Sequence, residues 1–342
     1  MARDRAELAI VIPAYKSKYL KETFSSIAAQ TDKRFRVYVG DDASPDPIED
    51  VVRESGLYPN QLVYKRFQEN LGSKSLVAHW RRCIELSTEP WVWLFSDDDL
   101  MSPGCIASFY RALEETSSRY DLYRFNTAII DEKGEIVDLN PPHPRWEPWY
   151  QFAYFLFKNY RLGNQQELIF KRSAFDAVGG FQEFPLAWWS DIAFVITCGT
   201  RHGIYTIENE RIFMRKSGDN ISSIRDETIY RLKLYAMASF FEWVAGHIEG
   251  NDCGEFPGKK RLLRLARDSF YWRLKTRNSW ITFQDFSFLY ARLNRCFGVP
   301  FLEFLFRVIY YNAAHVFEKV FKIRGSLISF ATLSGKRRIH AK

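Results

Sequence analysis

Residues 90–104 read PWVWLFSDDDLMSPG, and this stretch decides the fold class of the chain. It opens with the apolar run WVWLFS at 91–96, which predicts a buried β-strand. Asp97, Asp98 and Asp99 follow at the carboxyl end of that strand. Adjacent carboxylates repel one another unless a cation neutralises them, and Mg²⁺ or Mn²⁺ binds through such carboxylates together with substrate phosphates. A solvated acidic turn or a helix N-cap at Asp99 is the alternative.

Strands and helices alternate on both sides of this stretch. The apolar pattern predicts strands at 7–12, 35–40, 61–67, 120–130 and 203–214. Helical spacing of apolar residues predicts helices at 20–29, 47–55, 74–87, 103–117, 150–160, 173–178 and 191–201. This order predicts an α/β fold with a mainly parallel sheet. Ligands of such sheets bind at the carboxyl ends of the strands, so the acidic clusters should converge on one crevice.

A second acidic pair, Asp41 and Asp42, follows the strand at 35–40. A carboxylate in this position accepts hydrogen bonds from a nucleobase N–H or a ribose hydroxyl. An Asx-type turn that caps the next helix explains the pair equally well.

Two further motifs lie beyond the triplet. In Trp188-Trp189-Ser190-Asp191 the acid has the character of a general base in a partly desolvated pocket, and the tryptophans could stack on an acceptor sugar. A helix N-cap is the alternative. Residues 215–222 read RKSGDNIS, a basic segment that could close over a diphosphate or form an exposed turn.

These motifs, in this order, resemble the family 2 glycosyltransferases of the GT-A fold, over residues 8–222. The resemblance also includes IVIPAYKSKYLKETFSSIAAQT at 10–31, VYVGDDASPD at 37–46, NLGSK at 70–74 and IFKRSAFDAVGGF at 169–181. It implies an α/β GT-A domain that transfers a sugar from a nucleotide-sugar with inversion at the anomeric carbon.

The resemblance also implies roles for individual residues. Asp191 is expected to be the catalytic general base, and Asp98 and Asp99 to hold a divalent metal, Mn²⁺ or Mg²⁺. Trp188 and Trp189 are expected at the acceptor. The residues expected to bind the nucleotide-sugar are Pro13, Ala14, Tyr15, Asp41, Asp42, Asn70, Lys74, Asp97, Arg215 and Asn220. Among these, Pro13, Ala14 and Tyr15 line the base, Asp42 bonds it, Asp97 approaches the ribose, and Arg215 and Asn220 lie in a loop that closes over the donor.

Three serines depart from the family pattern, one of them Ser217, which stands where some relatives have a histidine that helps to hold the metal. Ser96 occupies a place where many relatives carry an acid, so the sequence leaves open which two acids of the triplet hold the metal. Ser190 stands where many relatives have a glutamate, so Asp191 lacks that neighbouring carboxylate.

The charge of the chain is distributed unevenly. The net charge is +7, but residues 259–342 carry 18 Lys and Arg against 4 Asp and Glu, which leaves −7 for residues 1–258. We therefore divide the chain into a catalytic domain, 1–225 (nucleotide half 1–102, acceptor half 103–225), and a helical basic-aromatic region, 226–342. A cationic, aromatic amphipathic pattern is typical of a helix at an anionic membrane surface. Packing on the catalytic domain with a solvated basic face is the alternative, and a homo-oligomer is left open.

The composition narrows the remaining choices. Five scattered cysteines without a CxxC pair favour reduced thiols and a cytoplasmic protein. Together with the basic C-terminal region, they lead us to expect a cytoplasmic protein that is peripheral on the inner membrane face. No nucleic-acid recognition motif accompanies the basic charge, so nucleic acid is not expected as a partner.

The expected activity is transfer from a UDP-sugar to a hydroxyl of a glycan or lipid-linked acceptor in cell-surface polysaccharide synthesis. The alternatives are an inactive glycosyltransferase-like scaffold or glycan-binding protein at the membrane, and a nucleotidyltransferase. A nucleotidyltransferase is expected to have a Gly- and Arg-rich phosphate loop after its first strand, and PAYKSKY does not resemble one.

Overall fold

Strands and helices follow one another along the chain at the places that the sequence predicts. The computed structural model of the protein describes residues 6–161, 163–218, 224, 226–276 and 280–314. Its strands are β1 (Leu8–Ala14), β2 (Phe35–Asp41), β3 (Leu62–Arg66), β4 (Trp91–Leu94), β5 (Leu100–Met101), β6 (Leu122–Ile130), β7 (Ile136–Leu139), β8 (Trp146–Glu147), β9 (Leu168–Lys171) and β10 (Ile204–Arg215). Its helices are α1 (Leu20–Ala28), α2 (Ile48–Arg53), α3 (Leu76–Ile84), α4 (Cys105–Glu115), α5 (Trp149–Phe157), α6 (Arg172–Ala177), α7 (Ser190–His202), α8 (Glu227–Gly250), α9 (Lys259–Lys275) and α10 (Phe283–Phe297), and residues 301–314 are also helical.

One sheet contains these strands, in the order β3-β2-β1-β4-β9-β6-β10-β5, with β7 paired to β6 and β8 to β10. The α/β GT-A fold class expected from the sequence is confirmed. The strands β3, β2, β1 and β4 are parallel, as expected. The other half of the sheet is mixed, because β9 lies antiparallel between β4 and β6. The sequence reading missed the four-residue strands β7 and β9 and the two-residue strands β5 and β8.

Strand β1 is apolar throughout because both of its faces are buried. Leu8 and Ile10 face the hydrophobic cluster that includes α1 and α4. Ala9 and Val11 face a second cluster on the other side of the sheet. A strand that is covered on both faces needs apolar residues at every position, so the continuous run matches the central place of β1.

The C-terminal region is helical, as expected, and it packs on the acceptor half. Side chains of α8, α9 and α10 belong to the same hydrophobic cluster as those of α5 and α7. Asp226 caps α8 by accepting from the N–H of Ile229, and Thr282 and Asp285 form a capping box at α10. Within the described ranges, no helix is long and apolar enough to cross a membrane. The division at residue 225 stays a prediction.

Candidate active site

The loops that follow β1 and β4 meet at the carboxyl edge of the sheet. The parallel register places Ala14 beside Asp41 and Val11 beside Leu94. The backbone N–H groups of Tyr15 and Lys16 each donate to Oδ2 of Asp97, over 3.1 Å. The predicted convergence of Asp41, Asp42 and the aspartate triplet therefore follows from the pairing of three neighbouring strands.

The residues expected to line the nucleobase differ in exposure. The Tyr15 side chain is exposed and Pro13 is partly buried. Ala14, in contrast, is completely buried and belongs to the core cluster of Leu8, Ile10 and Ile12. Contact of Ala14 with the nucleobase therefore stays a prediction for its backbone and not for its side chain. The carbonyl oxygen of Ala14 accepts from the N–H of Asp42 over 3.0 Å.

Asp41 and Asp42 each have a full set of protein partners. Asp41 accepts from Tyr64, Arg66 and the N–H of Ser44, three residues further along the chain, and this last bond closes a local turn. This turn does not cap α2, whose N-cap is Pro47.

Asp42 organises the turn at residues 70–74. Its Oδ1 accepts from the N–H of Leu71 and from the Arg82 guanidinium, and its Oδ2 accepts from the N–H of Gly72 over 2.8 Å. A Cβ atom at residue 72 would lie only 2.6 Å from Asp42 Oδ2, so this turn requires glycine. Contact of Asp42 with a nucleobase stays a prediction.

Asn70 and Lys74 belong to the same turn. Asn70 Oδ1 accepts from the N–H of Ser73 over 2.8 Å, and the exposed Lys74 ammonium pairs with Glu69. Their contact with the nucleotide-sugar stays a prediction.

The three aspartates of the triplet have different surroundings. Asp97 is held by the two N–H groups described above, and Oδ1 of Asp99 accepts from the N–H of Arg215 over 2.7 Å. Asp98 is partly exposed, and among the described residues no other residue donates a hydrogen bond to its side chain. Asp99 does not cap a helix; β5 follows it, so the N-cap alternative is wrong.

The pKa values of the triplet reflect crowding in a poorly solvated place. Burial, joined by the charge of Asp97, raises the pKa of Asp98 to about 7. Burial and the charge of Asp98 raise the pKa of Asp99 well above 3.8. Burial also raises the pKa of Asp97, although the N–H groups of Tyr15 and Lys16 act in the opposite direction. The cluster as it stands therefore favours protons or another cation.

These donors fit a hard divalent cation. Such ions use one or two carboxylates and complete their coordination with water and phosphate oxygens. Asp98 offers an accessible carboxylate, and the buried Asp99 follows it, with a carboxylate that Arg215 and Ser96 engage. Among the described residues, no group of three or more His, Cys, Asp or Glu side chains is arranged to hold a metal without a bound substrate.

Arg215 has a different place from the expected one. It is the last residue of β10, not a residue of a closing loop, and its side chain is completely buried. The guanidinium donates to the carbonyl oxygens of Asp98, Asp131 and Glu132 and to the Glu22 carboxylate. Arg215 therefore fixes the backbone of the triplet. Asn220, its expected companion, lies outside the described residues.

Asp191 lies in the first turn of α7. The N-cap of this helix is Trp189, in a left-handed conformation with φ 78°, so the N-cap alternative for Ser190 and Asp191 is wrong. Asp191 accepts from the N–H of Ile192 over 2.8 Å, and the nearby backbone N–H of Gln165 also lowers its pKa. Burial nevertheless raises the pKa of Asp191 to about 6. A carboxylate of this strength is ionised at pH 7 and is a better base than an exposed aspartate.

Gln165 connects Asp191 to the triplet's strand. Its side-chain amide donates to the carbonyl oxygen of Leu94, the last residue of β4. The carbonyl oxygen of the next residue, Gln166, accepts from Trp93 Nε1 over 2.8 Å. The short 3₁₀ turn Gln165–Glu167 therefore connects the surroundings of Asp191 to the end of β4, and no pattern in the sequence predicted this connection.

The two expected acceptor tryptophans differ. Lys233 of α8 places its ammonium 4.8 Å from the ring centroid of the partly exposed Trp188. Trp189 stacks on Phe240 with centroids 4.7 Å apart, and the Arg273 guanidinium lies 4.6 Å from its ring centroid. Trp189 is partly exposed, as Trp188 is, although Phe240 and Arg273 already contact its ring. Contact of the two tryptophans with an acceptor sugar stays a prediction.

A buried network of charges adjoins the base, and the sequence reading missed it. Glu147, at the end of β8, accepts from Arg124 and Arg161. Burial favours its neutral form, but His143 and the two arginines together lower the pKa of Glu147 to about 2. Glu167 lies next in this network, 3.7 Å from His143. Burial raises the pKa of Glu167 to about 8; Arg124 opposes this shift and the charge of Asp191 adds to it.

Glu167 and Asp191 thus form a pair whose pKa values are pushed apart. At pH 7 Asp191 is ionised and Glu167 is protonated. This difference is typical of acid–base sites. Glu167 supplies a second carboxyl group near the base from a distant part of the sequence, although Ser190 replaces the glutamate that many relatives have next to it.

Solved structures share this fold. The chain is similar to S. aureus TarS 1–349 in complex with UDP-GlcNAc, with a TM-score of 0.62, 16% identity, and coverage of 84% of this chain and 80% of that one. For S. aureus TarS itself the TM-score is 0.63 at 15% identity, over 86% of this chain and 49% of that one. For TarS 1–349 in complex with UDP the TM-score is 0.51 at 14% identity, over 90% and 89%. No curated protein sequence matches the chain significantly.

A family of sequences matches as well. Residues 9–176 match the family described as Glycosyl transferase family 2. This range begins in β1 and contains Asp41, Asp42 and the triplet, so it includes the strand ends at which the acids converge. Residues 9–176 of this chain are therefore a family 2 glycosyltransferase domain.

Proposed function

We propose that this glycosyltransferase moves a sugar, a hexose or N-acetylhexosamine, from a UDP-sugar to an acceptor hydroxyl with inversion of the anomeric carbon. One observation carries the proposal: Asp191, a partly buried carboxylate with a pKa of about 6, lies beside the backbone of Gln165, whose side chain is hydrogen-bonded to the end of the strand that precedes the aspartate triplet. The donor class is supported by the UDP-GlcNAc and UDP complexes of the similar TarS structures.

The chemistry starts at the acceptor. Ionised Asp191 accepts the proton of the acceptor hydroxyl, and the resulting nucleophile attacks the anomeric carbon from the side opposite the leaving group. The new glycosidic C–O bond forms as the bond to the diphosphate breaks, and UDP departs with the electron pair. The proton stays on Asp191 until it exchanges with solvent. Direct displacement on one face gives inversion.

The triplet serves the leaving group. Asp98 and Asp99 would hold the divalent cation, which would neutralise charge that develops on the diphosphate. Asp97 fixes the loop at Tyr15 and Lys16, and Arg215 fixes the backbone of Asp98. These contacts hold the acids in place before the donor binds.

The acceptor and the cellular place belong to the same proposal. Trp188 lies partly exposed three residues before Asp191 and offers a ring on which a sugar can stack. The acceptor is a glycan or a lipid-linked glycan made in the cytoplasm for the cell surface. The basic C-terminal charge supports an acceptor near an anionic surface.

A donor screen tests the proposal. The full chain is incubated with UDP-glucose, UDP-galactose, UDP-GlcNAc and UDP-GalNAc, each with Mn²⁺, and UDP release is followed with and without glycan acceptors. We expect metal-dependent UDP release with one donor, and loss of that release in Asp191→Asn. Metal-dependent UDP binding without turnover for any donor or acceptor would instead support the inactive scaffold. Equal turnover in parent and Asp191→Asn would exclude Asp191 as the base.

A further inference from the structure

The helix of residues 301–314 carries an apolar face that nothing in the described part of the chain covers. Leu302, Phe306, Ile309 and Tyr310 recur at helical spacing and are 55–67% exposed. The opposite face is buried, through Phe304, Val308 and Tyr311. The exposed residues are therefore not a consequence of poor packing, because the helix is anchored by its other side.

Further exposed aromatic rings lie near the end of this helix. Asn312 exchanges two hydrogen bonds of 3.1 Å with the backbone of Ile281, which fixes the end of the helix beside the start of α10. Trp280 and Phe283 flank that point and are 49% and 87% exposed. Of the seventeen large apolar side chains exposed in the described ranges, eight fall between residues 272 and 310. Clustering of this kind marks a contact surface.

The charge around this face selects the partner. Residues 259–342 have a net charge of +14, and the 28 residues that follow position 314 contain 7 Lys and Arg against one Glu. A second copy of the chain would bring another +14 against this region, which opposes self-association through it. An anionic surface is attracted instead. Aromatic and aliphatic side chains beside a cationic segment are the two components that amphipathic elements use at the bilayer interface.

We propose that the apolar face of residues 302–310, with Trp280 and Phe283, inserts into the interfacial layer of an anionic lipid bilayer. The basic residues of the C-terminal region bind the lipid headgroups at the same time. The protein binds on the bilayer and does not span it. This surface is distinct from the strand-end site and does not depend on which sugar is transferred.

Vesicle flotation of the full chain tests the proposal. Vesicles of equal parts phosphatidylglycerol and phosphatidylcholine are compared with vesicles of phosphatidylcholine alone. Each comparison is made at low salt and at 0.5 M NaCl, where the ionic strength is roughly fivefold higher and charges are screened more strongly. We expect binding to the anionic vesicles, with at least about tenfold weaker partition to the neutral ones and at high salt.

Paired variants separate the face from the charge. Leu302→Glu/Phe306→Glu changes two exposed side chains and is expected to lower partition about tenfold or more, while the melting temperature and UDP binding stay at parental values. Ile136→Glu/Val137→Glu on β7 changes two side chains of similar exposure, 56% and 57%, and is expected to bind vesicles as the parent does.

Several results would overturn the proposal. One is unchanged flotation of Leu302→Glu/Phe306→Glu; another is equal binding to neutral and anionic vesicles. A parent that ignores vesicles but forms a dimer by light scattering, which the same variant dissociates, would assign the face to a second copy. Loss of turnover with intact flotation would contradict the proposed function alone.

Discussion

Replacing Asp191 by asparagine should make the protein inactive and more stable at the same time. A carboxyl group whose pKa is raised in the folded state favours its neutral form there, so its ionisation weakens folding. A rise from 3.8 to about 6 corresponds to about 3 kcal/mol at roughly 1.4 kcal/mol per pH unit. Because Asp191 is partly accessible to water, we expect Asp191→Asn to gain about 2 kcal/mol in unfolding free energy at pH 7.

The sign of this effect gives its pH dependence. The destabilising contribution of Asp191 is absent below pH 3.8 and complete above pH 6. It grows between these values, where Asp191 is ionised in the unfolded chain but still protonated in the folded protein. The advantage of Asp191→Asn in urea denaturation should therefore shrink as the pH falls from 7 toward 4. Aspartate and asparagine have nearly the same shape, so packing differences contribute little to the comparison.

Activity follows the same pKa in the opposite sense. With a pKa of about 6, about nine tenths of the base is ionised at pH 7 and about one tenth at pH 5. At saturating metal and donor, kcat should fall about tenfold over that interval, whereas an aspartate with a pKa of 3.8 would lose less than about a tenth. Asp191→Asn should lower kcat by about 10² to 10⁴. A variant that is less stable than the parent, or a flat profile between pH 5 and 7, would refute the reasoning.

Three other perturbations test the surroundings of the base and the triplet. Arg215→Met removes the donors to three carbonyl oxygens and to Glu22, so we expect about 3 kcal/mol lower unfolding free energy in urea and weaker UDP binding; Arg215→Lys should recover part of both. Glu167→Gln mimics the neutral form that Glu167 has at pH 7, so the kcat of this variant at pH 7 should stay within about threefold of the parental value. The unfolding free energy that the variant gains over the parent should increase from pH 5 to pH 8. A large loss of kcat would instead show that Glu167 itself acts as a base. Chelation of divalent metal should abolish most UDP binding in calorimetry, and Asp98→Asn should weaken the metal-dependent part of that binding by about tenfold or more. Unchanged UDP binding by Asp98→Asn would contradict this prediction, whereas an equally strong effect of Asp97→Asn would not.

The sequence predicted the scaffold well because its strands are buried on both faces. The runs at 7–12, 35–40 and 91–96 are apolar apart from Glu7, Arg36 and Ser96, and each leads into residues of the cleft. Alternation along β1 could also have shown that Ala14 is buried, since it continues the face of Leu8, Ile10 and Ile12. Strand β9 was missed because four residues give too short a pattern and because antiparallel insertion leaves no local mark.

The long-range partners of charged side chains could not be predicted in this way. Arg215 reaches carboxyl and carbonyl oxygens of residues 22, 98, 131 and 132, and Glu147 pairs with Arg124 and Arg161. Neither set has a periodicity or a fixed spacing. RKSGDNIS therefore read as a flexible basic loop, whereas its first residue is a buried arginine at a strand end.

The aspartate triplet shows how three like charges remain side by side without equal roles. Asp97 is bound by two N–H groups of the loop after β1, and Asp99 is bound by the N–H of Arg215 at the end of β10. The outer two acids thus join the end of β4 to two other strands, and each contact offsets part of the repulsion. Asp98, between them, has no such partner among the described residues and has a pKa of about 7. Because the outer two acids are engaged by backbone N–H groups, we expect Asp98 to contribute most to metal binding, with Asp99 as the second ligand, and the Asp98→Asn comparison tests this expectation.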